Sequence, residues 1–370
     1  MSAPTTEPDA ATAVRAGSAD HAGFHRLRVA AVERLTDDAV AVTFAVPDEL
    51  AETFAFRAGQ YLTVRQETPD GEERRSYSIC APEGAAPRIG VRRVETGLFS
   101  EWLVDRLAAG DELDVAPPEG RFTPDPRPGE HHTLIAAGSG ITPVLSIAAT
   151  VLAAHPDTHV TLLYGNRRTG TVMFTEELAD LKDRHHARLQ LDHVLSREPM
   201  EAEIFGGRLD REKLRTLLTS LVPTPQVDHW WLCGPLEMVT GARDVLAEFG
   251  VGRERMHAEL FYVDAPPPQP VRHEDAPAEG ATARIILHGR EVTATIPPDS
   301  FVLDAAQKVR SDLPFACKGG VCGTCRAKVT GGEVRMQRNF ALEAEEVEAG
   351  FVLTCQSVPV SDELVVDYDV

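Results

Sequence analysis

From residue 24 to about residue 124, apolar positions fall in short runs (25–32, 39–46, 60–65 and 89–94) parted by Asp, Pro and Gly. A period of two with β-branched side chains predicts strands, and an antiparallel β-barrel hides one face of each. Residues 75–80 read as a further strand, and a helix is expected over 101–107. Pro, Gly and charge crowd into 125–131, and the pattern then changes. Apolar strands at 133–137, 159–165, 188–195 and 229–233 alternate with helices that end near Ala154 or run over 175–184, 213–221 and 236–249. Strands alternating with helices predict a parallel α/β sheet covered on both faces.

Pro266-Pro267-Pro268-Gln269-Pro270 opens a semi-rigid linker. Beyond it, 283–287 and 291–296 flank His288-Gly289-Arg290 as a hairpin, a helix is expected over 304–310 and a strand over 327–329. The Glu-rich run 343–348 reads as a solvated helical face. A small α+β, β-grasp sheet holding one helix is the expected unit. The chain thus divides into a polar tail at 1–24 expected to be disordered, a barrel at 25–126, an α/β domain at 127–261, a linker at 262–281 and a last domain at 282–370.

Charge narrows the function. With 57 acidic against 37 basic residues, the 370-residue chain carries a net charge of −20, which disfavours non-specific nucleic-acid binding. No apolar run is long enough for a membrane helix, and the first residues lack a basic-then-apolar export pattern, so a cytoplasmic location is expected. Oligomeric state is left open.

Of the six cysteines, Cys317, Cys322 and Cys325 stand as C-x4-C-x2-C, and Cys355 follows at a distance. This is the plant-type [2Fe–2S] spacing, with Gly319, Gly320 and Gly323 supplying backbone freedom and close N–H approach. The alternative is a four-cysteine zinc site, but zinc loops favour two paired knuckles and only one is present. Cys80 and Cys233 are isolated, so a disulfide scaffold is the poorer reading.

Four further motifs suit nucleotides. On a strand, Arg75 and Tyr77 share one face and Ser78 the other, offering a guanidinium for pyrophosphate, a ring for a flat heterocycle and a hydroxyl for a ring nitrogen. Gly97-Leu98-Phe99-Ser100 opens a helix, whose free N–H groups suit an anion, although Ser100 as an ordinary N-cap is the simpler reading in isolation. Gly138-Ser139-Gly140-Ile141-Thr142-Pro143 follows a strand and lets backbone approach a pyrophosphate, with Thr142 and Pro143 suited to the N-cap and first helical position. Cys233-Gly234-Pro235 forms a second strand-to-helix turn.

In this order, the motifs resemble those of the ferredoxin–NADP⁺ reductase superfamily over nearly everything from residue 25 onward. The resemblance implies that Arg75, Tyr77 and Ser78 bind FAD: Arg75 on its pyrophosphate, Tyr77 against the isoalloxazine and Ser78 near N5. It also implies that the Gly97–Ser100 turn contacts the FAD pyrophosphate. Gly138, Gly140, Ile141, Thr142 and Pro143 are implied at the pyrophosphate of the nicotinamide dinucleotide, and Cys233, Gly234 and Pro235 near its nicotinamide. Ser196 and Arg197 match a Ser-Arg pair that meets the 2′-phosphate of NADP, with Arg167 in support. A phosphate calls for forked cations where a free 2′-OH calls for a carboxylate, so NADPH is expected, with NADH the alternative. Tyr77, Ser78, Cys233 and Glu259 are the residues implied beside the reacting rings. The order FAD domain, nucleotide domain, ferredoxin domain is similar to that of reductases which deliver electrons to an oxygenase component. The ferredoxin segment most resembles those serving phenylacetyl-CoA epoxidase, with those serving ketosteroid ring hydroxylation the alternative. A slow redox-sensing flavo-iron–sulfur protein is the reading of a different class.

Overall fold

A computed structural model describes residues 23–68, 71–94, 97–262, 268–272, 274 and 277–370. The tail expected over 1–24, apart from Gly23 and Phe24, and residues 263–267, 273, 275 and 276 of the linker lie outside these.

The first domain contains β1 (His25–Thr36), β2 (Ala39–Ala45), β3 (Tyr61–Thr68), β4 (Gly71–Ser78), β5 (Arg88–Arg92) and β6 (Glu112–Val115), with α1 (Leu98–Asp105) between the last two. Its antiparallel sheet runs β4-β3-β6-β1-β2-β5, and an Ile79–Ile89 bridge joins the two edge strands into a barrel. Alternate residues such as Leu62, Val64, Ile89 and Val91 fill the interior and leave no accessible surface, as a closed barrel requires.

The second domain contains β7 (His131–Ala137), α2 (Ile141–Ala154), β8 (His159–Asn166), α3 (Thr175–Arg184), β9 (Leu189–Leu195), α4 (Arg211–Leu221), β10 (His229–Pro235), α5 (Leu236–Glu248) and β11 (Met256–Tyr262). The sheet is parallel throughout, in the order β11-β10-β7-β8-β9. Helices α2 and α3 close one face, α4 and α5 the other. The strand order reverses between β7 and β10, so a crevice opens at their C-terminal ends.

The third domain contains β12 (Ala281–Leu287), β13 (Arg290–Ile296), α6 (Val302–Ala306), β14 (Arg326–Gly331), β15 (Val334–Met336), α7 (Ala344–Glu348), β16 (Phe351–Leu353), β17 (Ser357–Pro359) and β18 (Glu363–Asp367). A mixed sheet β13-β12-β18-β14-β16 packs on α6, as the β-grasp expectation has it. The helix stops four residues short of the expected end. Arg310 instead donates to the carbonyls of Leu287 and Arg290, both at 2.7 Å, and ties the following turn to the first hairpin.

The domains join in different ways. Barrel residues Ala39, Ala41, Ala58, Cys80 and Phe122 belong to the same buried apolar cluster as α2 and α3. The apolar cluster of the third domain is formed by that domain alone.

Candidate functional site

The first cysteine of the C-x4-C-x2-C loop is placed by backbone. Amides of Gly319 and Cys322 donate to Cys317 Sγ at 3.3 and 3.4 Å. The left-handed conformations fall on Gly320 (φ 78°) and Gly323 (φ 73°), and on Lys318 (φ 47°) rather than the Gly319 expected from sequence. Cys355 arrives on the turn after β16, where Gln356 Nε2 donates to the Lys318 carbonyl at 2.9 Å and pins the two segments together. Hydrogen bonds between side chains join the thiols two by two, Cys317 with Cys322 and Cys325 with Cys355. Hydrogen bonding from its Cys322 partner and from backbone amides holds the Cys317 thiol down at about 5. Two thiol pairs, three thiols on the loop and Cys355 on the turn after β16, suit a two-iron cluster better than a single zinc.

In the barrel, β4 carries Arg75 and Tyr77 on one face and Arg74, Ser76 and Ser78 on the other. Tyr77 lies beside Phe99 of α1, their ring centroids 6.4 Å apart, and burial pushes its phenol up. The guanidinium of Arg75 is about half-exposed and bonds the Arg74 carbonyl at 2.8 Å. Helix α1 starts at Leu98, not 101, with Gly97 as N-cap. Ser100 therefore sits inside the first turn, donating to Gly97 O at 3.0 Å and accepting from the Val94 amide at 3.1 Å. Its hydroxyl is spent on the turn, and any anion here meets the backbone amides that open the helix.

At the sheet crevice, Gly138–Gly140 forms a short 3-10 turn that leads into α2 at Ile141. Gly140 is the N-cap, so Thr142 and Pro143 fall two residues deeper than expected, and Thr142 Oγ1 donates to Ser139 O at 3.0 Å. A Cβ on Gly140 would stand 2.2 Å from the Cys233 carbonyl oxygen, so the two glycine turns touch. At the neighbouring strand ends, the Ser196 amide donates to Asn166 O at 2.9 Å and the Arg197 amide to Arg167 O at 2.8 Å. Arg167 and Arg197 are thereby set side by side, both exposed.

The two domains meet chemically at Ser78, which donates to Glu259 Oε2 at 3.3 Å. Glu259 is paired across β10–β11 with Cys233, so β4, β10 and β11 bring Ser78, Cys233 and Glu259 to one place. Although Glu259 as a residue is only half-buried, its carboxyl lies deep among protein atoms, and burial pushes it up to about 8 against the opposing pull of the Ser78 bond. Burial and the Glu259 carboxylate push the Cys233 thiol well up. Of the four residues implied beside the reacting rings, Tyr77 stands apart on the other face of β4.

Two groups of residues escaped the sequence reading. Arg92 reaches from β5 across the Gly138 turn, with Nη1 3.3 Å from where a Cβ on Gly138 would lie, and donates to Thr171 O at 2.6 Å. Its signal was the alternation on β5, where Ile89 and Val91 turn inward and the arginines outward. The second group joins the cluster loop to the barrel: Tyr61 Oη lies 3.1 Å from Thr324 Oγ1 and 3.4 Å from Glu119 Oε2, and Ser76 Oγ lies 3.5 Å from Thr324 Oγ1.

Comparison with known proteins agrees with this partition. Residues 26–123 match the oxidoreductase FAD-binding domain family, 134–244 the oxidoreductase NAD-binding domain family and 285–360 the 2Fe-2S iron-sulfur cluster binding domain family. The chain is 41% identical to a component of the 1,2-phenylacetyl-CoA epoxidase of Escherichia coli (strain K12), over 94% of this chain and 98% of that protein. It is 35% identical to the ferredoxin reductase component of 3-ketosteroid-9-alpha-monooxygenase from Rhodococcus rhodochrous, over 92% and 96%. Among solved structures it is similar to phthalate dioxygenase reductase, with a TM-score of 0.59 and 27% identity over 93% of this chain and 98% of that one. With the barrel, the parallel sheet and the paired thiols in that order, the chain belongs to the ferredoxin–NADP⁺ reductase superfamily, in the group of oxygenase reductases that carry a C-terminal [2Fe–2S] domain.

Proposed function

We propose that this protein is the reductase component of an oxygenase, drawing electrons from NADPH and releasing them through its third domain to a separate oxygenase protein. The observation that carries the reading is the convergence of three modules on one hairpin. Ser78 on β4 meets Glu259 of the nucleotide domain, which is paired with Cys233, and Ser76, two residues earlier, meets the cluster loop at Thr324. When bound, FAD supplies the exchange between a two-electron hydride and single electrons, and the [2Fe–2S] cluster carries those singly.

The protein's part is position and charge. Arg75 and the α1 amides hold the FAD pyrophosphate, Tyr77 flanks the flavin ring, and Ser78 orients its reacting edge. Gly138 and Gly140 leave room for the dinucleotide pyrophosphate at the opening of α2, with Arg92 closing over it from the barrel. Cys233, Gly234 and Pro235 border the nicotinamide. Glu259 holds a proton on its carboxyl near neutral pH, within reach of Ser78 Oγ, so the site where charge moves is not burdened by a buried anion. Arg167, Ser196 and Arg197 form a cationic, forked surface for a 2′-phosphate, which favours NADPH over NADH. The four thiols retain the cluster, and six unpaired cysteines suit a reducing cytoplasm.

The similarity to the phenylacetyl-CoA epoxidase component favours that oxygenase as the acceptor, and the ketosteroid monooxygenase reductase supports the second reading. Mixing the purified reductase with each oxygenase component and following substrate-dependent NADPH oxidation separates them. Coupling to the epoxidase alone is expected. Coupling to the ketosteroid enzyme alone would reverse the assignment, and slow turnover with every acceptor would mark a sensor.

A further inference from the structure

We infer that the polar face of the β3–β4 hairpin, centred on Arg74, is a positioning joint that sets the cluster loop against the flavin for internal electron transfer. The inference rests on the reductase reading above and assigns a task to residues that reading leaves unused.

In this hairpin Tyr61 stands opposite Ser78, Thr63 opposite Ser76 and Arg65 opposite Arg74. Directly opposed residues share a face, so these six polar side chains form one surface, while Leu62, Val64 and Tyr77 turn the other way. A polar hairpin face ordinarily meets water. Here Tyr61, Thr63, Arg65, Arg74 and Ser78 are all buried, Arg74 at 5% exposure.

Much of what covers them is the third domain. Arg74 Nη1 donates to the Leu313 carbonyl at 3.2 Å and Nη2 reaches the Ser311 carbonyl at 3.5 Å. The guanidinium also lies over the Phe315 ring, 4.3 Å from its centroid, and its Nε is held by Glu72 at 2.6 Å. Thr63, Ser76, Thr324 and Tyr61 continue the contact as a run of hydroxyls, with steps of 3.1, 3.5 and 3.1 Å. Leu313 and Phe315 lead into Cys317, and Thr324 lies between Cys322 and Cys325, so the joint grips both ends of the ligand loop.

Strand geometry makes this a measure of distance. Ser78 and Ser76 are two residues apart, about 7 Å along a strand. The residue that touches Glu259 and the residue that touches the cluster loop are therefore held at fixed, short separation on one element. Electron transfer falls steeply with distance, and this spacing holds only while the joint is closed.

The joint also differs in kind from the seam between the first two domains. That seam is apolar and continuous with a core, whereas the third domain contributes no residue to any apolar cluster but its own. A mainly polar contact can part with little apolar surface exposed, here the Phe315 ring, as transient interfaces do. Of the outer ion pairs, Arg243–Glu343 has both partners exposed and adds little, and Arg121–Glu346 joins an exposed guanidinium to a carboxylate already held by Arg326. Arg74 is buried, and its loss leaves two carbonyls without their charged donor.

The test uses the full chain loaded with FAD and cluster, mixed anaerobically with NADPH while the flavin and cluster bands are followed separately. In Arg74→Ala the flavin phase should keep the wild-type rate and the cluster phase should slow roughly tenfold or more, the factor expected for losing a buried charge-assisted bond. Arg74→Lys should recover part of it. Amide exchange measured without NADPH should rise over residues 311–325 in Arg74→Ala. Phe315→Leu probes the same joint from the other side, and serves if Arg74→Ala does not fold. Wild-type cluster rates and exchange in the folded variants would overturn the inference, as would flavin and cluster phases slowing together. Failure of NADPH to bleach the wild-type flavin would instead count against the reductase reading.

Discussion

At position 140 a methyl group would lie 2.2 Å from the carbonyl oxygen of Cys233 and 2.6 Å from its carbon, both backbone atoms with nowhere to go. Gly140→Ala should therefore spread the ends of β7 and β10, costing about 1–3 kcal/mol of stability. NADPH affinity should fall while FAD content is retained, which denaturant unfolding and a nucleotide titration would check. Unchanged affinity would remove Gly140 from the nucleotide site. Cys322→Ser leaves one iron short of a thiolate. It should abolish most single-electron reduction of cytochrome c while sparing flavin-linked reduction of a two-electron dye. Arg197→Ala should raise the KM for NADPH roughly tenfold, by removal of a charge-assisted phosphate contact, with little effect on NADH. Equal effects on both nucleotides would show that Arg197 does not read the 2′-phosphate. At this scale the cysteines were legible because cluster chemistry needs a fixed local spacing. The Tyr61–Thr324 contact was not, because it joins residues 263 positions apart and neither belongs to a spacing pattern.

Among the elements, long apolar or strictly alternating runs were read correctly, down to the bounds of α3 and nearly those of β8, β9 and α5. The misses have two causes. β6 has four residues, and β15 and β17 have three each, too few to display a period. β11 mixes His, Glu and Tyr with apolar residues because it is an edge strand of its sheet. The ends of these strands hold another feature that no motif announces. His132, His229 and His257 gather around Trp231 at the N-terminal edge of β7, β10 and β11, with Trp231 Nε1 donating to His132 Nδ1 at 3.2 Å and His257 stacked on the indole at 4.1 Å. Burial, then the neighbouring His229, pushes His132 down to about 3 and His257 down to about 4. Both are neutral in the folded protein, while the unfolded chain takes up these protons near 6.5. Between those values the unfolded state binds more protons, so stability is full above pH 6.5 and falls as pH drops toward 4. Denaturant midpoints across this window should decline with acid, and His257→Phe, which keeps the stack and removes one titration, should flatten the decline. An unchanged slope would clear His257 of the effect.

In the whole molecule, two domains are fused through apolar surface and a third is attached through polar contacts and a proline-rich linker. The order of the domains and their cofactor classes could be read from motifs and from the change of hydrophobic period. How the third domain sits could not, because its contact face is built from hydroxyls, arginines and backbone carbonyls that look like ordinary surface in a sequence. The arrangement predicts that electrons pass inside one chain, from nicotinamide to flavin to cluster. The most direct test is anaerobic mixing with limiting NADPH at several protein concentrations. The flavin band should fall first and the cluster band second, with a second rate that does not depend on protein concentration. A cluster that stays oxidised beside reduced flavin, or that is reduced faster as the protein is concentrated, would contradict the account.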